Sequence, residues 1–161
     1  MSLAASGDLK GILDVLSHME RSEAVLSEYY HACGEVFTDH QAFWFGIAEQ
    51  ENRHARNIRH MKDIIEKKPE NFQKGRPFNI AATQTLIKGV ENNTVKVRTG
   101  QLQLVNAIAI ARDNEQAFIE AKYNEIVRTD DVEYEALVNE IVTDTAAHKT
   151  HIDKMFAELR K

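Results

Sequence analysis

Glu51 and His54 lie on one face of a run that is otherwise apolar: Trp44, Ile47, Ala48, Glu51, His54, Ala55, Ile58, Met61, Ile65. Steps of three and four keep these residues together on a helix of 3.6 residues per turn. An ionised carboxylate turned toward a core costs several kcal/mol unless it is paired, protonated or bound to a cation. Glu51 therefore needs a compensating partner, and an imidazole one turn away is a metal-ligand type. The same signature recurs elsewhere in the chain. Glu23 interrupts the stripe Leu16, Met19, Glu23, Leu26, Tyr30, Cys33, Phe37, and Glu115 interrupts Leu104, Ile108, Ala111, Glu115, Phe118. A last stripe, Leu137, Ile141, Asp144, His148, His151, Met155, Leu159, carries two histidines three apart.

The elements that must position these side chains follow from the same periodicity. Two long helical patterns precede the prolines, Pro69 and Pro77, and two follow a connecting stretch. The first helix is expected over about Leu9 to Thr38, with a turn at Thr38 to His40 leading into a second that stops before Pro69. Residues 69–100 read as a crossover within a single domain spanning 1–161, with a short helix over Ile80 to Val90 and a loop at Gly75-Arg76-Pro77. The third helix is expected over about Gln101 to Arg128. Thr129-Asp130-Asp131 supplies capping side chains for the fourth, which runs almost to Lys161. No alternating strand pattern stands out. The fold class is all-α: a helix pair, a long crossover, a helix pair.

Within each pair, an acid on the opening helix faces a polar pair on the closing helix. Glu23 precedes Glu51 by 28 residues and Glu115 precedes His148 by 33, separations that suit antiparallel helices joined by a short turn. Glu23, Glu51, His54, Glu115, His148 and His151 thus converge as one candidate metal site, of the ligand types that iron, manganese or zinc accept. Other residues read as background. His18, His31, His40 and His60 lie off these stripes or near ends. Glu28 and Glu120 point about 140° away from Glu23 and Glu115 at 100° per residue. Trp44, Phe43 and Phe45 read as core or interface aromatics, Cys33 as a small buried hydrophobe, and Arg53 and Arg56 as helix ion-pair partners.

Taken together, these residues resemble the rubrerythrin-like branch of the ferritin-like di-iron carboxylate superfamily, over about Ile12 to Leu159. The resemblance implies an antiparallel four-helix bundle with a long crossover between its second and third helices. It also implies two metal ions, with iron favoured and zinc or manganese as alternatives. Glu23 looks like the terminal carboxylate of the first helix, Glu51 like a bridging carboxylate with His54 as its imidazole partner, and Glu115 like the third-helix carboxylate. His151 falls where the fourth-helix histidine is expected. Tyr30, and less closely Tyr123, resemble the aromatic hydroxyl beside such centres. The family pattern has a bridging Glu where this chain has His148, leaving three acids against four positive charges. Asp144, one turn earlier, could partly substitute, although its ordinary reading is an exposed or capping acid. A single metal, zinc or an asymmetric pair remains open at this point.

The resemblance implies redox chemistry with peroxide or dioxygen, or iron oxidation, and a homodimer. The alternative is a metal-binding or structural helical bundle without redox turnover. With one cysteine in 161 residues, the four-cysteine iron domain of full-length rubrerythrins cannot be built from this sequence, so electrons are expected from a separate rubredoxin-like protein or a small reductant. A net charge of −5 argues against nucleic-acid or anionic-membrane partners. No apolar run is long enough to span a bilayer, and Met1 to Leu16 lacks the pattern of a secretory signal, so a cytoplasmic protein is expected.

Overall fold

The computed structural model describes the backbone of residues 3–161 and the side chains of residues 7–161. It is mostly helical. Five helices, α1 (Leu3–Val36), α2 (Gln41–Lys67), α3 (Ile80–Arg98), α4 (Leu104–Ala121) and α5 (Val132–Leu159), are joined by short turns and one two-stranded ribbon. No helix of the described residues is long and apolar enough to cross a membrane.

Helix α1 packs against α2 and α3, and α5 packs against α4 and α2. The inward α1 residues Leu16, Met19, Leu26, Tyr29 and Tyr30 are all buried. Burying each of the aliphatic ones contributes on the order of 2 kcal/mol. A tight turn at Thr38–His40 reverses the chain, and α2 returns antiparallel to α1. The Ser27 hydroxyl donates to the Ala48 carbonyl at 2.7 Å in mid-helix, and Arg59 reaches Glu20 further along. Gly34 permits this close approach, because a Cβ there would stand 2.5 Å from the Phe45 ring.

The segment between α2 and α4 is more ordered than its sequence suggests. Instead of a short helix ending near Val90, α3 extends to Arg98. Asn79 caps its start, its side chain accepting from the Ala82 amide at 2.9 Å. The helix runs parallel to α1, with Arg21 paired to Glu91 and Arg98 to Glu28. Gly89, Asn92, Asn93 and Thr94 are weak helix formers, but burying Val90, Thr94 and Val97 outweighs that preference. Gly100, at φ +72°, then turns the chain into α4.

The third expected helix also ends differently. It stops at Ala121 instead of Arg128. Lys122 adopts the left-handed conformation at φ 50°, and Tyr123 folds back edge-on against Phe118 with ring centroids 5.9 Å apart. Val127–Arg128 (β2) pairs antiparallel with Gln73–Lys74 (β1), a ribbon too short to leave an alternating pattern. Asp131 caps α5 by accepting from the Tyr134 amide at 3.0 Å. Helix α5 then runs antiparallel to α2, from the Lys68–Asp131 pair at one end to His54–Asp144 in the middle. Helix α4 packs against α5 and meets α1 where the Tyr29 hydroxyl donates to the Ala107 carbonyl at 2.8 Å.

Candidate metal centre

Five polar side chains meet where α1, α2, α4 and α5 face one another: Glu23, Glu51, His54, Glu115 and His148. None is more than 1% exposed, so no bulk water compensates them. They form two groups, Glu23–Glu51–His54 and Glu51–Glu115–His148, and within each group the potential ligand atoms all lie within 4.8 Å of one another. Glu51 belongs to both and divides its oxygens between them. Oε2 lies 3.0 Å from His54 Nδ1, and Oε1 lies 2.8 Å from His148 Nδ1. The imidazole rings face each other at 5.7 Å between centroids. Glu23 stands 3.7 Å from His54 Nδ1, and Glu115 stands 3.8 Å from His148 Nδ1.

Both histidines are held from behind. His54 Nε2 lies 3.0 Å from Asp144 Oδ2, and His148 Nε2 contacts Gln50 Oε1. Partial burial of Asp144 is outweighed by its bonds to His54 and Arg53, which hold its carboxyl below the usual range. An ionised Asp144 can only accept, so His54 carries a proton on Nε2; without a metal Nδ1 carries one too and donates to Glu51, and loss of that second proton would free the Nδ1 lone pair for a cation. The Gln50 carbonyl favours the same tautomer in His148. Outer acceptors of this kind fix the orientation and basicity of imidazole ligands. On the far side, the Tyr30 hydroxyl donates to Glu115 Oε1 at 2.5 Å, leaving Oε2 turned toward His148.

Hydrogen bonds within the protein account for only part of this cluster. Among the described residues, both oxygens of Glu23, Oε1 of Glu51 and Nδ1 of His148 are fully buried and have no hydrogen-bond partner. Glu51 Oε1 and His148 Nδ1 stand close together, yet they meet out of hydrogen-bonding line. Leaving a buried charged or polar group unpaired costs about 1–3 kcal/mol or more. Inward-facing electron-pair donors on four helices, with their outer atoms tied down, could bind a metal ion. The donor set of carboxylates and imidazoles fits iron, manganese or zinc.

No family model, curated protein or solved structure matches the chain.

Not every expected ligand arrives. His151 is exposed on α5 and lies outside both groups. The residues of α5 that are buried are Tyr134, Val138, Ile141, Thr145, His148 and Ile152, spaced by four and three. From His148, a step of four to Ile152 turns about 40° and stays near the middle of that face, whereas a step of three to His151 falls about 60° back. Asp144 is the opposite case, since it braces His54 instead of standing as a free surface acid. Gln50 carries no sequence signal at all, because a glutamine beside a stripe is ordinary.

The metal-free cluster stores protons. Burial opposes charge on His54 and His148, but Glu23 and Glu51 outweigh it at the first and hold it up at about 11. Glu115 and Glu51 do the same at the second, up to about 9. Burial, and then repulsion from Glu51, pushes Glu115 up to about 7 and Glu23 well above the carboxylate range. Burial works against Glu51 too, but the two histidines keep it ionised. A cation must displace these protons. Metal binding at pH 7 is thus expected to release at least two protons per centre, from His54 and His148, with affinity rising as pH climbs toward 9. Calorimetry in buffers of different ionisation enthalpy measures that release; binding without it would contradict the assignment of the imidazoles as ligands.

Proposed function

We propose that this chain is a non-haem di-metal protein, with iron as the favoured metal, that reacts with peroxide or dioxygen or oxidises iron. The observation that carries this reading is the pair of buried Glu/His groups sharing Glu51, with donor atoms left unpartnered at their centre. In this reading α1, α2, α4 and α5 form a ferritin-like antiparallel bundle of the rubrerythrin-like kind, and α3 lies within its crossover.

Glu51 would be shared by two metal ions, with Glu23 and His54 holding one and Glu115 and His148 the other. Three carboxylates oppose four positive charges, and Asp144 behind His54 supplies a fourth negative charge close by. With three protein donors in each group, room would remain for a small oxidant. A di-ferrous centre held there would supply two electrons, which with two protons would convert hydrogen peroxide to two waters. The protein keeps the centre dry, holds each imidazole by its outer nitrogen, and fixes Glu115 through Tyr30.

Returning the electrons requires a partner. The one cysteine, Cys33, is buried and its thiol is pushed up to about 12, so neither a thiolate nor a cysteine-held iron is available in this sequence. A separate rubredoxin-like protein is the donor we propose, acting on a homodimer in the cytoplasm.

The test is anaerobic loading with ferrous iron followed by stopped-flow mixing with peroxide. Oxidation of two irons per chain, faster than free iron under the same conditions, is the expected result. A rate no faster than free iron would sink the redox reading.

A second reading has two observations in its favour. Glu51 already hydrogen-bonds His54 at 3.0 Å, and an imidazole stands at His148 where a bridging acid is the family pattern. Those features suit zinc, a single ion, or a polar core that balances itself without turnover. Elemental analysis of protein purified without chelator separates the two. One zinc per chain, unchanged by iron supplementation, would favour the second.

A further inference from the structure

A cavity of about 540 Å³ lies between the start of α3, the end of α4 and Ser22 of α1. None of the metal-centre residues lines it. Its walls are largely apolar, with Pro77, Phe78, Leu86, Phe118 and the Tyr123 ring among them. The volume falls within the range that holds small organic ligands.

The two ends of the cavity differ. At the outer end is Arg76, whose side chain is half exposed. Its guanidinium makes no hydrogen bond among the described residues; its nearest acid, Glu125, is 3.8 Å away. Glu120, which also lines the cavity, is engaged by Gln116 at 2.8 Å. Arg76 is therefore a cation with donors to spare. At the inner end are Ser22, the chain neighbour of Glu23, and Tyr123. Both are buried, and Ser22 places this end of the cavity one residue along α1 from the metal-centre acid Glu23.

The mouth is anchored. The Gly75 amide donates to the Ile126 carbonyl at 2.9 Å and the Arg76 amide donates to the Glu125 carbonyl at 2.7 Å. A Cβ on Gly75 would collide with the Glu125 carbonyl, so the loop closes this tightly only with glycine. On the opposite wall, the left-handed turn at Lys122 sets the Tyr123 ring against Phe118.

We propose that this cavity binds a small apolar organic acid. Its body lies against Phe78, Leu86 and Phe118, its carboxylate meets Arg76, and its far end reaches Tyr123 beside the metal centre. This names an organic substrate class for that centre and rests on the di-metal reading only for what the cavity adjoins; binding itself needs no metal.

The experiment uses the full chain, metal-free and then cobalt-loaded, titrated calorimetrically with 2-naphthoate and with the neutral 2-naphthalenemethanol. One 2-naphthoate per chain is expected, tighter than the alcohol. Ala117→Trp, which fills the cavity from its α4 wall, is expected to weaken binding at least tenfold. Ala82→Trp, at the exposed start of α3, is a second filling variant should the first disturb α4. Arg76→Gln is expected to weaken the acid about tenfold and leave the alcohol unchanged. No binding to the parent protein, or binding indifferent to both tryptophans, overturns the cavity. Equal affinity for acid and alcohol overturns the organic-acid class. A chain that binds 2-naphthoate but takes no cobalt contradicts the di-metal reading alone, while cobalt binding without 2-naphthoate contradicts the cavity alone.

Discussion

Glu51→Ala is expected to abolish metal binding at both halves of the centre, whereas Glu23→Ala and Glu115→Ala each spare the opposite half. The difference follows from membership: Glu51 belongs to both ligand groups, and the other two acids belong to one each. Affinity at each half should fall by more than about 100-fold in the Glu51 variant, since losing even an outer-shell partner commonly costs about 10–100-fold. Cobalt titration of the variants, read as stoichiometry, checks it. Two cobalt ions retained by Glu51→Ala would show that the groups do not share a bridge.

The same variant has a metal-free signature. Glu51 is the ionised acid that both imidazoliums face, so removing it strands two buried positive charges. Breaking a buried pair in this way costs about 3 kcal/mol, readable as urea unfolding at pH 7. The pH dependence has a definite sign. The lowered Glu51 stabilises the fold above its ordinary value of 4.5, and that contribution fades as pH falls. The raised His148 stabilises below its ordinary value, and its contribution is lost as pH rises through about 9. The gap between parent and variant should therefore be widest between about 4.5 and about 6.5, narrow as His148 loses its proton toward about 9, and keep its His54 share until about 11.

How far the centre is legible in the sequence depends on what surrounds each ligand. On α2, every residue of the stripe from Trp44 to Ile65 is buried, because uninterrupted apolar neighbours on both sides of Glu51 and His54 fix the helix phase. Glu23 and Glu115 are located the same way, by the hydrocarbon around them. Helix α5 offers less. Leu137 and Val138 are both apolar, as are Ile141 and Val142, so two stripes about 100° apart compete. The choice between them moves the inward residue near the helix end from Ile152 to His151. Periodicity also says nothing about what stands behind a ligand. Gln50 and Asp144 matter through contacts made across helices, at sequence separations of 98 and 90 residues. The crossover helix and the early end of α4 are tertiary effects as well: Val90 and Val97 gain from burial, and Tyr123, Ile126 and Val127 are buried only once the chain leaves the helix.

Asp144→Ala and His151→Ala should separate those two phases of α5 in one measurement. Asp144 accepts from His54 Nε2 and is itself gripped by Arg53 at 2.8 Å, so removing it frees the imidazole to rotate and weakens its basicity. Metal affinity is expected to drop about 10–100-fold, by the usual weight of an outer-shell carboxylate behind a histidine ligand. Asp144→Asn, which keeps an acceptor but no charge, should fall between that variant and the parent. His151→Ala should change affinity less than about twofold, because an exposed side chain outside both groups contributes only a screened charge. Competition against a chelator of known affinity reads all three variants on one scale. A large loss at His151 with little at Asp144 would mean that α5 is rotated by about 100° from the arrangement described, and Ile152 would then have to leave a position in which it is now completely buried. Removing that much apolar surface from the core costs about 2 kcal/mol or more, which is why the phase that turns His148 and Ile152 inward together is the one the helix adopts.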